Sequence, residues 1–246
     1  MILRQNIHKL LIIILLAVFC SNKAWGVQDS TNVLSAAVPT FWWRCSTGDS
    51  LLNFNNVAIV SKGDSLVFDS LPYSQDYTLV AVYKALDSLE ARVWKLSYCD
   101  SIATCTRVLT TEHILTDSTS IRYAKRDQQN PIINTLRQSA PRCVSPFVRL
   151  VLGGDTLPGS IMIAEVLYFD KRLSNSMLRR VQSMLAVRYG VTLGPVDYVD
   201  GEGAPTWRHS DHGSFHHRIT GVGRDSTYNL YQQASRSEME GAILTI

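Results

Sequence analysis

Apolar residues fall in short runs along most of this chain and at helical spacing in one place. Residues 161–169 are apolar almost throughout, with Tyr168 and several β-branched positions, the composition of a strand covered on both sides. Glu165 interrupts the run, and a carboxylate there is either on a solvated face or paired. Asp170-Lys171-Arg172 ends the strand. Ser174 is then placed to cap a helix in which Met177, Leu178, Val181, Met184, Leu185 and Tyr189 recur at three-and-four spacing, with Arg179, Arg180 and Gln182 off the stripe. Gly190 stands where a left-handed cap residue is wanted, and Arg188 lies near the negative end of the helix dipole.

Upstream, strand-like runs at 57–60, 66–68, 77–83, 92–98, 106–114, 121–123, 132–136 and 147–152 are separated by turn residues, without long helical patterns between them. That spacing predicts a mainly β chain of two facing antiparallel sheets. Within 92–98, Val93, Leu96 and Tyr98 break the strict period and predict a bulge. After Gly190 the texture changes. Leu193-Gly194-Pro195 breaks the chain, 197–205 is rich in glycine and acids, and the apolar 242–246 reads as a strand. About fifty residues with two or three strands make a marginal core, so 194–246 either packs on the sandwich or is a short, truncated second β module.

Residues 1–26 have the order of a signal peptide: basic Arg4 and Lys9, an uncharged run over 10–19, and Ala24-Trp25-Gly26 at the end. The run is short for a membrane span. Cys20 offers a lipoprotein anchor as a rival, against which stands Phe19 where a small residue is wanted. Export is therefore expected, with 27–40 as a linker. Removing Arg4, Lys9 and Lys23 from the 24 basic residues leaves 21, equal to the 21 acidic ones, so a nucleic-acid partner loses its compositional support. Four cysteines remain, Cys45, Cys99, Cys105 and Cys143, with three possible connectivities. Cys99 and Cys105 flank a plausible hairpin loop and form the favoured pair, leaving Cys45–Cys143; free thiols are the alternative.

Candidate chemistry is sparse. A sandwich glycosidase needs two facing carboxylates. Glu165 stands alone on its strand, and Glu238-x-Glu240 lacks the rest of such a motif. No catalytic residue is therefore assigned. Trp42 and Trp43, in the Phe41-Trp42-Trp43 run, are candidate sugar-stacking residues if exposed, although burial of at least one is expected. Trp207 is a third. His209, Asp211, His212 and His216 form a candidate metal set, in a region read as non-helical and lacking the zincin glutamate. Asp197, Asp200 and Glu202 could offer oxygens to calcium, against solvated turn charges as the plainer reading. No other cofactor is indicated. Gly221-x-Gly223-Arg224-Asp225 lacks the third glycine of a dinucleotide fingerprint; its glycines are expected to permit a tight turn, with Arg224 paired to Asp225 or a carbonyl.

Several of these residues carry a resemblance. Ile163-Ala164-Glu165-Val166, Tyr168, Leu173-Ser174, Met184-Leu185-Ala186 and Tyr189-Gly190-Val191-Thr192-Leu193 resemble the end of laminin-G-like, concanavalin A-like domains in large exported proteins of Bacteroidetes-type bacteria. Asp197-Tyr198, Trp207, the 219–225 stretch and 230–235 resemble the segment next along the chain in that family. The strand tyrosine sits one place early, and Met184 replaces a helix tyrosine. The resemblance covers 161–237 well and 41–160 only by pattern. It implies a jelly-roll sandwich over 41–193, the amphipathic helix at its C-terminal end, and the start of a second β domain over 194–246. The resulting expectation is a non-catalytic binding or adhesion module at the cell surface, with a glycan or a surface protein as partner. A divergent glycoside hydrolase and a structural spacer are the alternatives.

Overall fold

In a computed structural model of the chain, the described residues are 37–45, 53–54, 57–58, 60–61, 65–99, 104–122, 131–140, 145–154, 161–215, 219, 221–235 and 244–245, of which 53–54, 57–58, 60–61, 99, 104 and 244–245 are described by backbone alone. The strands are β1 (Phe41–Arg44), β2 (Asn53–Phe54), β3 (Val57–Ala58), β4 (Val60–Ser61), β5 (Leu66–Pro72), β6 (Asp76–Ala85), β7 (Arg92–Cys99), β8 (Thr104–Thr110), β9 (His113–Thr116), β10 (Ser120–Arg122), β11 (Ile132–Ser139), β12 (Phe147–Leu152) and β13 (Ile161–Phe169). They form two antiparallel sheets. One has the order β1-β13-β6-β11, with β4 also on β13; the other runs β10-β9-β8-β7-β12-β5.

The two sheets share one core. From the first come Tyr77, Leu79, Ala81 and Tyr83, and from the second Trp94, Leu96, Tyr98, Val148, Leu150 and Leu152. The second sheet has one wet face, so β12 alternates, with Arg149 outside and ion-paired to Asp69 at 3.0 Å. The first sheet is covered twice. Residues 77–83 and all nine residues of β13 are buried, the outcome that an uninterrupted apolar run predicts. The bulge expected in 92–98 falls between Arg92 and Trp94.

The second cover is the helix α1 (Asn175–Tyr189). Leu178, Val181, Met184, Leu185 and Tyr189 pack on Val80, Val82, Met162, Leu167 and Phe169 from the outer face of the first sheet. Each such side chain contributes about 1.5–3 kcal/mol when fully buried. Ser174 caps the helix as its type predicts, its Oγ accepting from the Met177 amide at 3.2 Å. Gly190 takes φ 65 and returns its amide to the Ala186 carbonyl. Ser174→Ala should cost about 1 kcal/mol of stability, readable as a lower urea midpoint at unchanged slope.

The C-terminal residues pack on this helix. Here lie β14 (Tyr198–Val199), β15 (Pro205–Trp207), the helical turn α2 (His209–His212), a 3-10 turn (Gly213–Phe215), β16 (Gly223–Asp225), β17 (Leu230–Gln232), β18 (Ala234–Ser235) and β19 (Leu244–Thr245). Tyr228 and Leu230 join the core between helix and sheet. The Val199 amide donates to Ser183 Oγ on α1 at 3.0 Å. All described residues belong to one compact unit, Leu34–Ile246. No helix among them is long and apolar enough to cross a membrane.

Two expectations are corrected. His209 to His212 is helical, a single turn continued by the 3-10 turn, rather than non-helical. The backbone at Gly221 and Gly223 needs no positive φ. The tight turn comes later, at 226–229 between β16 and β17, where Asn229 takes φ 50; asparagine tolerates that conformation through its short polar side chain.

Candidate functional site

Two places among the described residues bring polar and aromatic side chains together around the helix and the C-terminal hairpins. The first is a buried charge centre under α1. A strict two-residue period would put Glu165 on the same face as Ile161 and Ile163, between the sheets. Instead β13 bulges: Ile163 pairs with Tyr83 and Glu165 with Val82, leaving Ala164 as the extra residue. Glu165 therefore joins Leu167 and Phe169 on the helix side, while Val166 and Tyr168 face the sandwich core.

On that side Glu165 is fully buried and fully engaged. Arg188 Nη1 donates to Oε1 at 2.7 Å and to Oε2 at 2.9 Å. Tyr189 Oη donates to Oε2 at 2.6 Å, and Trp42 Nε1 donates to Oε1. The Arg188 guanidinium also lies 5.7 Å from the Trp42 ring centroid. Its Nη2 donates to the carbonyls of Tyr228 (3.1 Å) and Asn229 (3.4 Å), tying the 226–229 turn to the same point. Burial, and then the adjacent Glu165 charge, push the Tyr189 hydroxyl well above the usual phenol range, so it remains a donor. A carboxylate with both oxygens so occupied fastens β1, β13, α1 and the turn to one point.

Glu165 and Tyr189 are legible in the sequence as a structural motif. The dipole argument covers only part of what Arg188 does, since Arg188 lies four residues after Met184 and seven after Val181, on the apolar stripe itself. A charge on that stripe and a lone acid in an apolar strand are complementary anomalies, and together they are the available signal.

The aromatic run at β1 does not form one platform. Register with β13 alternates its side chains: Phe41 and Trp43 pair with Tyr168 and Val166 and pack on the sandwich core, while Trp42 pairs with Leu167 and turns to the helix side. All three are partly buried.

The second place is the surface around Trp207. In the β14–β15 ladder Trp207 stands opposite Tyr198. Tyr198 is buried, its hydroxyl accepting from the Leu193 amide at 2.8 Å. Trp207 sits edge-on against it, centroids 5.7 Å apart at 84°. The partly buried indole is flanked by the rings of His209 and His212, at 6.0 and 6.2 Å. Asp197 positions this turn by accepting from the His209 amide at 2.8 Å. Phe215, at the end of the 3-10 turn, is 76% exposed.

The metal set is not assembled there. Asp211 accepts from Ser210 Oγ at 2.8 Å and lies 3.9 Å from Arg208 Nη1, while both described histidines face the indole. His216 lies outside the described residues. Among the described residues no three His, Cys, Asp or Glu side chains converge as metal ligands. The acidic loop has structural duties too: Asp200 Oδ1 accepts from the amides of Glu202 (3.0 Å) and Ala204 (2.8 Å). Asp225 accepts from the amides of Gly201 (2.6 Å) and Thr227 (2.8 Å) rather than pairing with the exposed Arg224. Gly201 is required at that contact, since a Cβ would lie 2.5 Å from Thr227 Cβ.

Register alone bears on the favoured cysteine pair. Cys99 stands opposite Thr104 and Cys105 opposite Tyr98, so they are not direct cross-strand partners. The Cys99 side chain, Cys143 and the Glu238-x-Glu240 stretch lie outside the described residues, as do residues 1–36.

Fold and sites together define a mainly β protein of two facing antiparallel sheets, with a helix and a set of short hairpins fastened to one outer face. A family model described as a domain of unknown function (DUF8202) matches residues 177–246. No curated protein matches. Among solved structures, a Trypanosoma rangeli sialidase in complex with sialic acid is similar at TM-score 0.37 and 12% identity, over 56% of this chain and 31% of that one. A second Trypanosoma rangeli sialidase structure gives TM-score 0.36 and 12% identity over 50% and 28%. This chain thus spans less than a third of the sialidase chains it matches, and similarity at this level does not establish a shared fold.

Proposed function

We propose that this protein is an exported, non-catalytic binding module of the cell surface that takes carbohydrate at Trp207. The observation that carries the reading is the indole of Trp207, partly buried, braced by buried Tyr198 and set between two imidazoles. A rigid aromatic face of that kind suits the apolar face of a sugar ring. Trp42 and Trp43 pack against the hydrophobic cores on opposite sides of their strand, whereas Trp207 joins neither core, which leaves Trp207 as the candidate among the three. The engagement of Glu165 by Arg188, Tyr189 and Trp42 supports a non-catalytic role over a glycoside hydrolase, because the acid in the strand motif has no acceptor position to spare.

The same proposal takes the two sheets as the jelly-roll sandwich of laminin-G-like, concanavalin A-like domains in exported proteins of Bacteroidetes-type bacteria, and residues 1–26 as the leader that delivers them. An array of purified glycans probed with the purified chain tests it. Binding that quenches tryptophan fluorescence and falls at least tenfold in Trp207→Ala, with the far-ultraviolet circular dichroism unchanged, is the expected result, on the roughly 1–3 kcal/mol scale of one stacked ring. An intact fold that captures no glycan would make the chain a spacer, and hydrolysis of a polysaccharide by pure protein would make it an enzyme.

A further inference from the structure

We propose that a recurring tripeptide, Asp-Ser/Thr-Leu/Ile/Thr, is the acceptor unit of a hydroxyl-directed glycosylation, its middle hydroxyl carrying the sugar. The proposal is independent of the Trp207 surface. Of the fifteen aspartates in the chain, nine are followed directly by serine or threonine, at 29–31, 49–51, 64–66, 69–71, 87–89, 100–102, 117–119, 155–157 and 225–227. Serine and threonine fill 42 of the 246 positions, so about three of fifteen would follow an aspartate by chance. In all nine the third residue is leucine, isoleucine or threonine, and none of the six glutamates is followed by a hydroxyl residue. A bias that joins the acid, the hydroxyl and the next side chain is that of a local recognition sequence.

The fold does not account for this bias. The described middle residues, Ser65, Ser70, Ser88, Ser118 and Ser226, are all exposed, and among the described residues no hydrogen bond engages their hydroxyls. Hydroxyls outside the tripeptide have structural duties instead: those of Thr78, Thr110, Ser174 and Ser183 accept from the amides of Leu173, His113, Met177 and Val199. The aspartates share no single role either. Asp87 and Asp225 close Asx-turns, accepting from the amides of Leu89 at 2.9 Å and Thr227 at 2.8 Å, with the serine at the apex. Asp117 accepts from the Thr106 amide on β8 at 2.7 Å, and Asp69 pairs with Arg149. What the sites share is a nucleophilic oxygen open to solvent beside a carboxylate.

That setting selects the group. A phosphoryl group would add about −1.5 to −2 charges beside each aspartate, where like charges repel. A neutral sugar adds only bulk, which an exposed surface accommodates. In the transfer, Oγ attacks the anomeric carbon of a sugar activated as a phosphate ester. The bond from Oγ to that carbon forms and the bond from the carbon to the phosphate oxygen breaks. The phosphate leaves with the electron pair, and the hydroxyl proton passes to a base of the transferase.

Mass spectrometry of proteolytic peptides from the chain purified from its native cells tests this, with the same chain made in the cytoplasm of a host without the transferase as reference. Peptides holding Ser65, Ser70, Ser88, Ser118 and Ser226 should be heavier by one common glycan mass per site, on the middle oxygen. Ser88→Ala and Ser226→Ala should each lose one increment and leave the others, with circular dichroism unchanged. Asp87→Asn keeps a turn-closing acceptor without the charge, and should also lose the increment at Ser88. Unmodified mass at most of the five sites overturns the proposal. So do phosphate increments, sugars spread over serines outside the tripeptide, or an Asp87→Asn chain still modified at Ser88.

Discussion

Arg188→Met should lower the free energy of unfolding by about 3–5 kcal/mol, the scale expected when one member of a buried ion pair is removed. The reason is the asymmetry of the site. Glu165 is fully buried, and the substitution leaves its carboxylate in an apolar layer with Tyr189 and Trp42 as the remaining donors. The Tyr228 and Asn229 carbonyls lose their donor in the same step, so the 226–229 turn should loosen as well. Glu165→Leu alone should be similarly damaging, because it strands a guanidinium. The Glu165→Leu, Arg188→Met pair should recover much of the loss, since two apolar side chains can fill the space without desolvating charge. Urea unfolding of the two single variants and the double variant measures this. Additive losses, or a loss below about 1 kcal/mol for Arg188→Met, would mean the two groups do not act as a buried pair.

The second large effect is alkaline. Burial raises the hydroxyls of Tyr77, Tyr98, Tyr168, Tyr189 and Tyr228 above their ordinary value, with Tyr77 adding to the effect at Tyr98, Asp170 at Tyr168 and Glu165 at Tyr189. The sign comes from proton counting. Below about pH 10 both folded and unfolded chains keep these protons, and stability is unaffected. Above it the unfolded chain releases them while the folded chain holds them, so stability falls by up to about 1.4 kcal/mol per pH unit for each such tyrosine. Unfolding between about pH 10 and 12 should therefore be cooperative, and tyrosinate absorbance should rise together with the loss of circular dichroism. A smooth, non-cooperative tyrosinate titration of a chain that stays folded would contradict the burial of these rings.

How much of the fold and the sites is readable in the sequence can be argued from particular residues. The helix is legible end to end because its cap, its stripe and its glycine stop are all local signals, from Ser174 through Tyr189 to Gly190. The doubly covered strand is legible from apolarity, but not the direction of Glu165, which depends on one extra residue in a ladder with β6. The Phe41-Trp42-Trp43 run suggests a platform because three rings are adjacent in sequence; alternation across β1 divides them between two faces. The turn at His209–His212 escapes sequence reading because its four residues lack an apolar stripe, and a single turn leaves no periodicity to find. The setting of Trp207 on Tyr198 needs the β14–β15 pairing, which neither strand announces in two or three residues.

The ion pair has a bearing on where this chain can be divided. The boundary of the matched family at residue 177 falls inside α1, and it places Arg188 on one side and Glu165 on the other. A gene segment exchanged at that boundary would carry a basic residue whose counter-charge stays behind, together with a helix whose apolar stripe faces no sheet. A segment meant to carry this helix therefore needs β13 with it, since β13 supplies both the counter-charge of Arg188 and the surface for the apolar stripe.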